Sequence, residues 1–163
     1  MNKETVEAAR VLRYTILAVQ RQGNRRLGDL LRGFSLTPSQ AEAMEVLSEH
    51  GPMTTREVGS YLLCESGSPS RILAALAEKG LSVRSRPEGD RRATLHGLTR
   101  AGRDKLDQVR AAEEDFNHEF ADSLETQFPA DEELWSVIEK LKHMVTDPAL
   151  QEALNLRFPD LKA

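Results

Sequence analysis

Apolar or small residues recur every three or four positions between Lys3 and Phe34, at Val6, Ala9, Leu12, Ile16, Val19, Gly23, Leu27 and Leu30. That spacing draws one stripe along a single long amphipathic helix reaching about Arg32. Gly23 and Gly28 each weaken it by roughly 1 kcal/mol relative to alanine, so a break near "RQGNRR" is the competing expectation. A second helix is predicted from "LTPSQAEAMEVLSEHGP". There Thr37 caps, Pro38 takes the first helical position, Gln40 completes a capping box, Leu36 and Ala41 form the staple, and Gly51 with Pro52 ends the run.

The same device follows at once in "MTTREV", where Thr54 and Glu57 form the box and Met53 and Val58 the staple of a helix to about Leu63. After "CESG", Ser68 and Pro69 read as cap and first position of "PSRILAALAEK", closed by Gly80. Its period turns Ile72, Leu73 and Leu76 inward and leaves Ser70, Arg71, Ala74, Ala75 and Glu78 outward, a small surface able to approach a groove closely. "LSVRSR" and "ATLHGL" then read as two short strands around a turn at Pro87 to Arg92, with Leu81, Val83 and Leu95 as inward positions. Thr99 caps a long helix to about Phe128, carrying Leu106, Val109, Phe116, Phe120 and Leu124 on one side. Asp131 opens another helix, bearing Leu134, Ile138, Leu141 and Val145, and the residues from Asp147 onward are ambiguous.

At 163 residues the chain suits one domain, or one domain with helical extensions. The single cysteine, Cys64, allows no internal disulfide and suits a reducing compartment. The polar start "MNKETVEAAR" lacks the apolar core of a signal peptide, and no stretch reaches the ~18 apolar residues of a bilayer span, so a soluble cytoplasmic protein without membrane association is expected. The net charge of -4 argues against a polyanionic partner until it is resolved along the chain. Residues 1–50 hold 7 basic and 6 acidic groups, residues 51–110 hold 11 and 7, and residues 111–163 hold 4 and 13. A polyanion would therefore meet the basic middle, with the acidic end held away.

The two long terminal helices would each run about 40 to 45 Å at 1.5 Å per residue, longer than a compact ball of this chain is wide. Their apolar stripes would stay wet unless a second copy covered them, and a homodimer built from both chain ends is expected. Three helices followed by a two-stranded ribbon, within residues 37–98, is the order of a winged helix-turn-helix, whose third helix enters a major groove while the ribbon reaches the minor groove or backbone. The fold class expected is mainly α with a small β-hairpin wing. It divides into an N-terminal dimerisation helix at 1–36, a DNA-binding lobe at 37–99 and C-terminal dimerisation helices at 100–163.

"DRRATLHGLT" fits the DxRxxxxxLT wing pattern of the MarR family of regulators, with Asp90, Arg92, Leu98 and Thr99 in the pattern's places. "LTPSQAEAMEVL" and "LAEKGLSVRSR" are likewise similar to that family's second helix and helix-to-wing junction, so that residues 36–103 resemble it well and the two ends only in helical layout. What the resemblance implies is a dimeric cytoplasmic transcription regulator that binds palindromic double-stranded DNA, in the sense of a repressor, and is released by a small-molecule effector or an oxidant. Carried onto this sequence, Arg92 would be the wing-tip arginine directed at the minor groove, and Asp90 would brace the wing through Arg91 or Arg86. Ser68, Ser70 and Arg71 would fall on the helix segment meeting DNA. Many relatives have charged residues where Ala74 and Ala75 stand here, which leaves the target sequence open. Independently, Arg84, Arg86, Arg91 and Arg92 crowd one short ribbon, and arginine suits a narrow, electronegative minor groove. The bland alternative is a solvated charged turn.

Cys64 lies just before the recognition-type helix, where oxidation could disturb binding, but a lone cysteine after "YLL" is more often a buried small hydrophobe. Peroxide-sensing members of the resembled family carry their reactive cysteine in the N-terminal helix, where this chain has none. His50, His96, His118 and His143 lack metal-ligand spacing, no catalytic constellation can be isolated, and neither an enzyme nor a cofactor is expected. In the resembled family effectors bind between dimerising helices and DNA-binding lobe, and by position Tyr14, Phe34, Met44 and Phe116 could line such a cavity, although aromatics on apolar stripes are more often core. The rival function is a winged-helix module that binds an acidic protein partner through Arg91 and Arg92.

Overall fold

A computed structural model of the chain describes residues 2–64, 67–86 and 93–159. By its contacts the chain forms two units, Met1–Pro38 and Ser39–Ala163.

The first unit is dominated by one helix, α1 (Lys3–Arg32), which continues through Gly23 and Gly28 without a break. Asn2 caps it by accepting from the Glu4 N–H at 3.2 Å. The apolar residues Val6, Val11, Tyr14, Leu17 and Val19 all lie exposed, and burial begins only near the end, at Leu31 and Leu36. The chain leaves α1 through Ser35, whose φ of 58° is left-handed, and the Leu36 N–H returns to the Leu31 carbonyl at 3.1 Å.

The second unit holds α2 (Pro38–His50), β1 (Met53–Thr54), α3 (Thr55–Tyr61), α4 (Pro69–Glu78), β2 (Ser82–Ser85), β3 (Leu95–Leu98), α5 (Arg100–Gln127), α6 (Asp131–His143) and α7 (Pro148–Arg157). The Thr54 capping box is formed in full: its hydroxyl accepts from the Glu57 N–H, and the Glu57 carboxylate accepts from the Thr54 N–H at 2.7 Å. That bonding holds the Glu57 carboxyl below its usual range. The core consists of Ala43, Met44, Val46 and Leu47 from α2, Val58 from α3, Leu73 and Leu76 from α4, and Leu106 and Val109 from the start of α5. Among the described residues, no helix is long and apolar enough to cross a membrane.

The sheet is antiparallel, in the order β1-β3-β2, with Ser82 opposite Leu98 and Met53 opposite His96. Two expectations are corrected here. Val83 is not an inward position: it is 52% exposed, while Ser82 is 5% exposed. Side chains alternate across a strand, and the register that turns Ser82 inward beside the buried Leu81 turns Val83 to solvent. The ribbon also gains a third strand, because Met53 and Thr54 pair with β3 before Thr54 caps α3. Beyond Asp147 a further helix forms, α7, with Asp147 accepting from the Ala149 and Leu150 N–H groups and Pro148 in its first turn.

The ribbon joins α5 by close backbone contact. Gly80, at φ +70°, lets the Leu81 N–H return to the Leu76 carbonyl at 2.9 Å. The Leu81 carbonyl then accepts from the Thr99 N–H at 3.0 Å, and the Thr99 hydroxyl donates to the Gly80 carbonyl at 2.7 Å. A Cβ on Gly102 would stand 2.0 Å from that Leu81 oxygen, so only glycine allows the first turn of α5 to sit this close. Burial along α5 ends at Val109; Phe120 beyond it is exposed, as are Trp135 and Leu141 on α6.

Candidate nucleic-acid interface

Helix α4 starts at Ser68, whose hydroxyl lies 3.0 Å from that of Ser70 and makes no cap bond to the helix backbone. Pro69 occupies its first turn and packs on Gly59 of α3; a Cβ on Gly59 would come within 2.9 Å of the Pro69 ring. Small residues thus set the helix-turn-helix crossing. With Ile72, Leu73 and Leu76 buried, Ser68, Ser70 and Arg71 are left on the exposed side, and Ala74 and Ala75 are half-buried.

A cleft of about 520 Å³ opens beside α4 and the ribbon, lined by Thr55, Ser70, Arg84, Ser85, Arg86, Thr94 and His96. Three residues expected from sequence to meet DNA, Ser70, Arg84 and Arg86, therefore share one surface, and both arginines are exposed. Ser68 and Arg71 lie exposed at the start of the same helix without lining the cleft. Asp90, Arg91 and Arg92 lie outside the described residues. Hydroxyls and guanidinium groups along one cleft are the donor set a phosphate backbone accepts from.

His96, for which sequence spacing suggests no metal role, also lines this cleft. It is 4% exposed on β3, its Nε2 lies 3.0 Å from the Thr55 hydroxyl, and its buried Nδ1 has no partner among the described residues. Burial, with Arg84 nearby, holds the imidazole below its usual range of 6.5. A neutral ring there adds no charge to the cleft. Alternation in "TLHGL" gave no signal for this, because β3 is buried at the three successive positions His96, Gly97 and Leu98.

The chain leaving α3 is held from α2 at Leu63 and Cys64. Glu42, 8% exposed, accepts from the Leu63 N–H at 2.8 Å and from the Cys64 N–H at 2.9 Å, and the Ser39 hydroxyl donates to the Cys64 carbonyl at 3.4 Å. Burial and the Glu42 carboxylate push the Cys64 thiol up to about 11. Among the described residues no group of three or more His, Cys, Asp or Glu is placed to hold a metal ion.

The expected effector residues fall in both units. Tyr14 of the first is exposed, with the Arg13 guanidinium 4.4 Å over its ring, and Phe34 is half-buried. In the second unit Met44 is fully buried in the core and Phe116 is half-buried.

Residues 36–102 match the winged helix DNA-binding domain family. The organic hydroperoxide resistance transcriptional regulator of Bacillus subtilis is 31% identical over 89 residues, covering 55% of this chain and 60% of that protein. The chain thus spans less than two thirds of that regulator's length. A MarR family protein from Bacillus stearothermophilus superposes with a TM-score of 0.60 at 27% identity, over 88% of this chain and 95% of that one. Reduced AbfR, solved bound to DNA, superposes with a TM-score of 0.68 at 25% identity, over 89% of this chain and 96% of the other.

Proposed function

We propose that this chain, whose residues 36–102 match the winged helix DNA-binding domain family and whose fold is like that of a MarR family protein, regulates transcription by binding palindromic duplex DNA as a homodimer. The observation that carries the reading is the cleft in which Ser70, Arg84 and Arg86 come together beside the exposed start of α4. Arg84 and Arg86 meet phosphates, while Ser68, Ser70 and Arg71 approach the base edges of a major groove. By the resemblance of the wing pattern, Arg92 would be directed at the minor groove, with Asp90 bracing the wing through Arg91 or Arg86. The AbfR complex with DNA supports the same use of the fold.

Two copies would present two recognition helices to successive major grooves about 10 base pairs apart. The exposed apolar residues of α1, and separately Phe120, Trp135 and Leu141 of α5 and α6, support a second copy as their cover. Repression follows if the bound dimer occupies a promoter in the cytoplasm, and a small molecule that prefers a dimer of different helix spacing would release it. Within the first unit Tyr14 and Phe34 keep surface for an effector, and within the second Phe116 does so while Met44 is closed in the core.

The test is to select duplexes from genomic fragments with the purified protein and to titrate salt against the best one. Binding should weaken with a log-log slope of about -0.9 per phosphate contacted, and Arg84→Ala should reduce that slope by about one contact. Failure to select any duplex, with retention of an acidic protein instead, would leave the protein-interaction reading.

A further inference from the structure

The second unit contains a partly buried ionic contact that bears on DNA reading without touching DNA. Arg157, in the last turn of α7, places its guanidinium 3.5 Å from Glu42 and 2.9 Å from Glu45. Both carboxylates belong to α2, the Glu42 oxygens also take the N–H groups of Leu63 and Cys64, and α7 packs on α3 with Ala153 buried. We propose that Arg157 is a positioning residue: from the C-terminal helix it holds Glu42 in its two-oxygen grip on the α3–α4 turn, and so sets where the recognition helix α4 stands.

The physical reason is the state left when Arg157 is removed. An exposed ion pair contributes little, but Arg157 is 21% exposed and Glu42 8%, so the pair is largely withdrawn from water. Without the guanidinium, Glu42 and Glu45 lose the cation they share. Glu42 then relaxes by turning toward solvent, which releases the N–H groups of Leu63 and Cys64 just after α3. A planar guanidinium can serve two carboxylates at once, which an ammonium point charge does less well. Because only the turn moves, the arginines of the ribbon keep their phosphate contacts, and what suffers is discrimination between DNA sequences.

The inference rests on the DNA-binding reading, and two measurements on the full-length protein separate their fates. Hydrogen exchange at Leu63 and Cys64 should quicken about tenfold in Arg157→Gln while exchange in the α2 core is unchanged. Affinity for the duplex selected by the wild-type protein should fall about tenfold, with affinity for a scrambled duplex and the salt slope within twofold of wild type. Glu42→Gln should produce the same loss, and the two changes together no more than either alone, because both act through one contact. Unchanged exchange at Leu63 and Cys64, equal losses on selected and scrambled duplexes, or a double variant about a hundredfold weaker would each overturn the proposal. Should Arg157→Gln unfold, Arg157→Lys carries the same measurements with a smaller expected change, and no change in exchange overturns the proposal. If the wild-type protein selects no duplex, the DNA-binding reading falls while the exchange result still decides the clamp.

Discussion

His96 Nε2 lies 3.0 Å from the Thr55 Oγ1, so the middle strand of the ribbon is tied to the first residue of α3. Through this bond a wing residue and the helix-turn-helix share one polar contact inside the lobe. Its strength depends on the protonation state of the ring.

A folded state that holds His96 below 6.5 keeps the ring neutral where the unfolded chain already takes a proton. The resulting stability is complete above the unfolded value of 6.5 and is lost as pH falls through the lowered one. Glu113, raised by burial and by Glu45, works in the opposite sense, so the comparison must be with a variant rather than between two pH values. Thermal melts of wild type and His96→Gln between about pH 7.5 and about pH 5 should converge as pH falls. Parallel curves would mean that His96 does not titrate in that window.

Gly102 makes a second prediction, on packing. Its missing Cβ leaves room for the Leu81 carbonyl, which also holds Thr99 at the base of the ribbon. Gly102→Ala should cost about 2 kcal/mol in urea unfolding, since either α5 or the ribbon must shift. Gly28→Ala in α1, where nothing lies within 4 Å of the added methyl, should instead stabilise by about 1 kcal/mol. Equal effects would show that close approach is not what selects Gly102.

The third prediction concerns Cys64. A thiol moved from 9.0 to about 11 has about a hundredfold less thiolate at neutral pH than a free one, and the thiolate is the form that reacts. Iodoacetamide should label the native protein about a hundredfold more slowly than a model thiol, and peroxide should leave DNA affinity unchanged. Rapid labelling of the native protein, or release from DNA by peroxide, would restore Cys64 as a sensor.

Much of the fold was legible because its signals are local. The three-to-four step of α1, the Thr54–Glu57 box, Ser68–Pro69 before α4 and Thr99 before α5 each depend on neighbours within one or two turns. Asp147–Pro148 carried the same kind of signal for α7, but the apolar period beyond it is short and gave no stripe to follow. Val83 failed for a different reason: apolar character alone did not reveal the strand register, and pairing with β3 turned Ser82 inward in its place.

The sequence by itself determined α1 to α6, the two strands β2 and β3, most of the caps that bound them and the arginines gathered along the ribbon, because torsion preference, capping and charge act over a few residues. The tertiary structure alone decided that His96 meets Thr55, that Ser70 shares a cleft with Arg84 and Arg86, and that Arg157 reaches Glu45 from 112 residues away. Those pairings have no local signal, because burial and the attraction between charges depend on which surfaces the folded chain brings together.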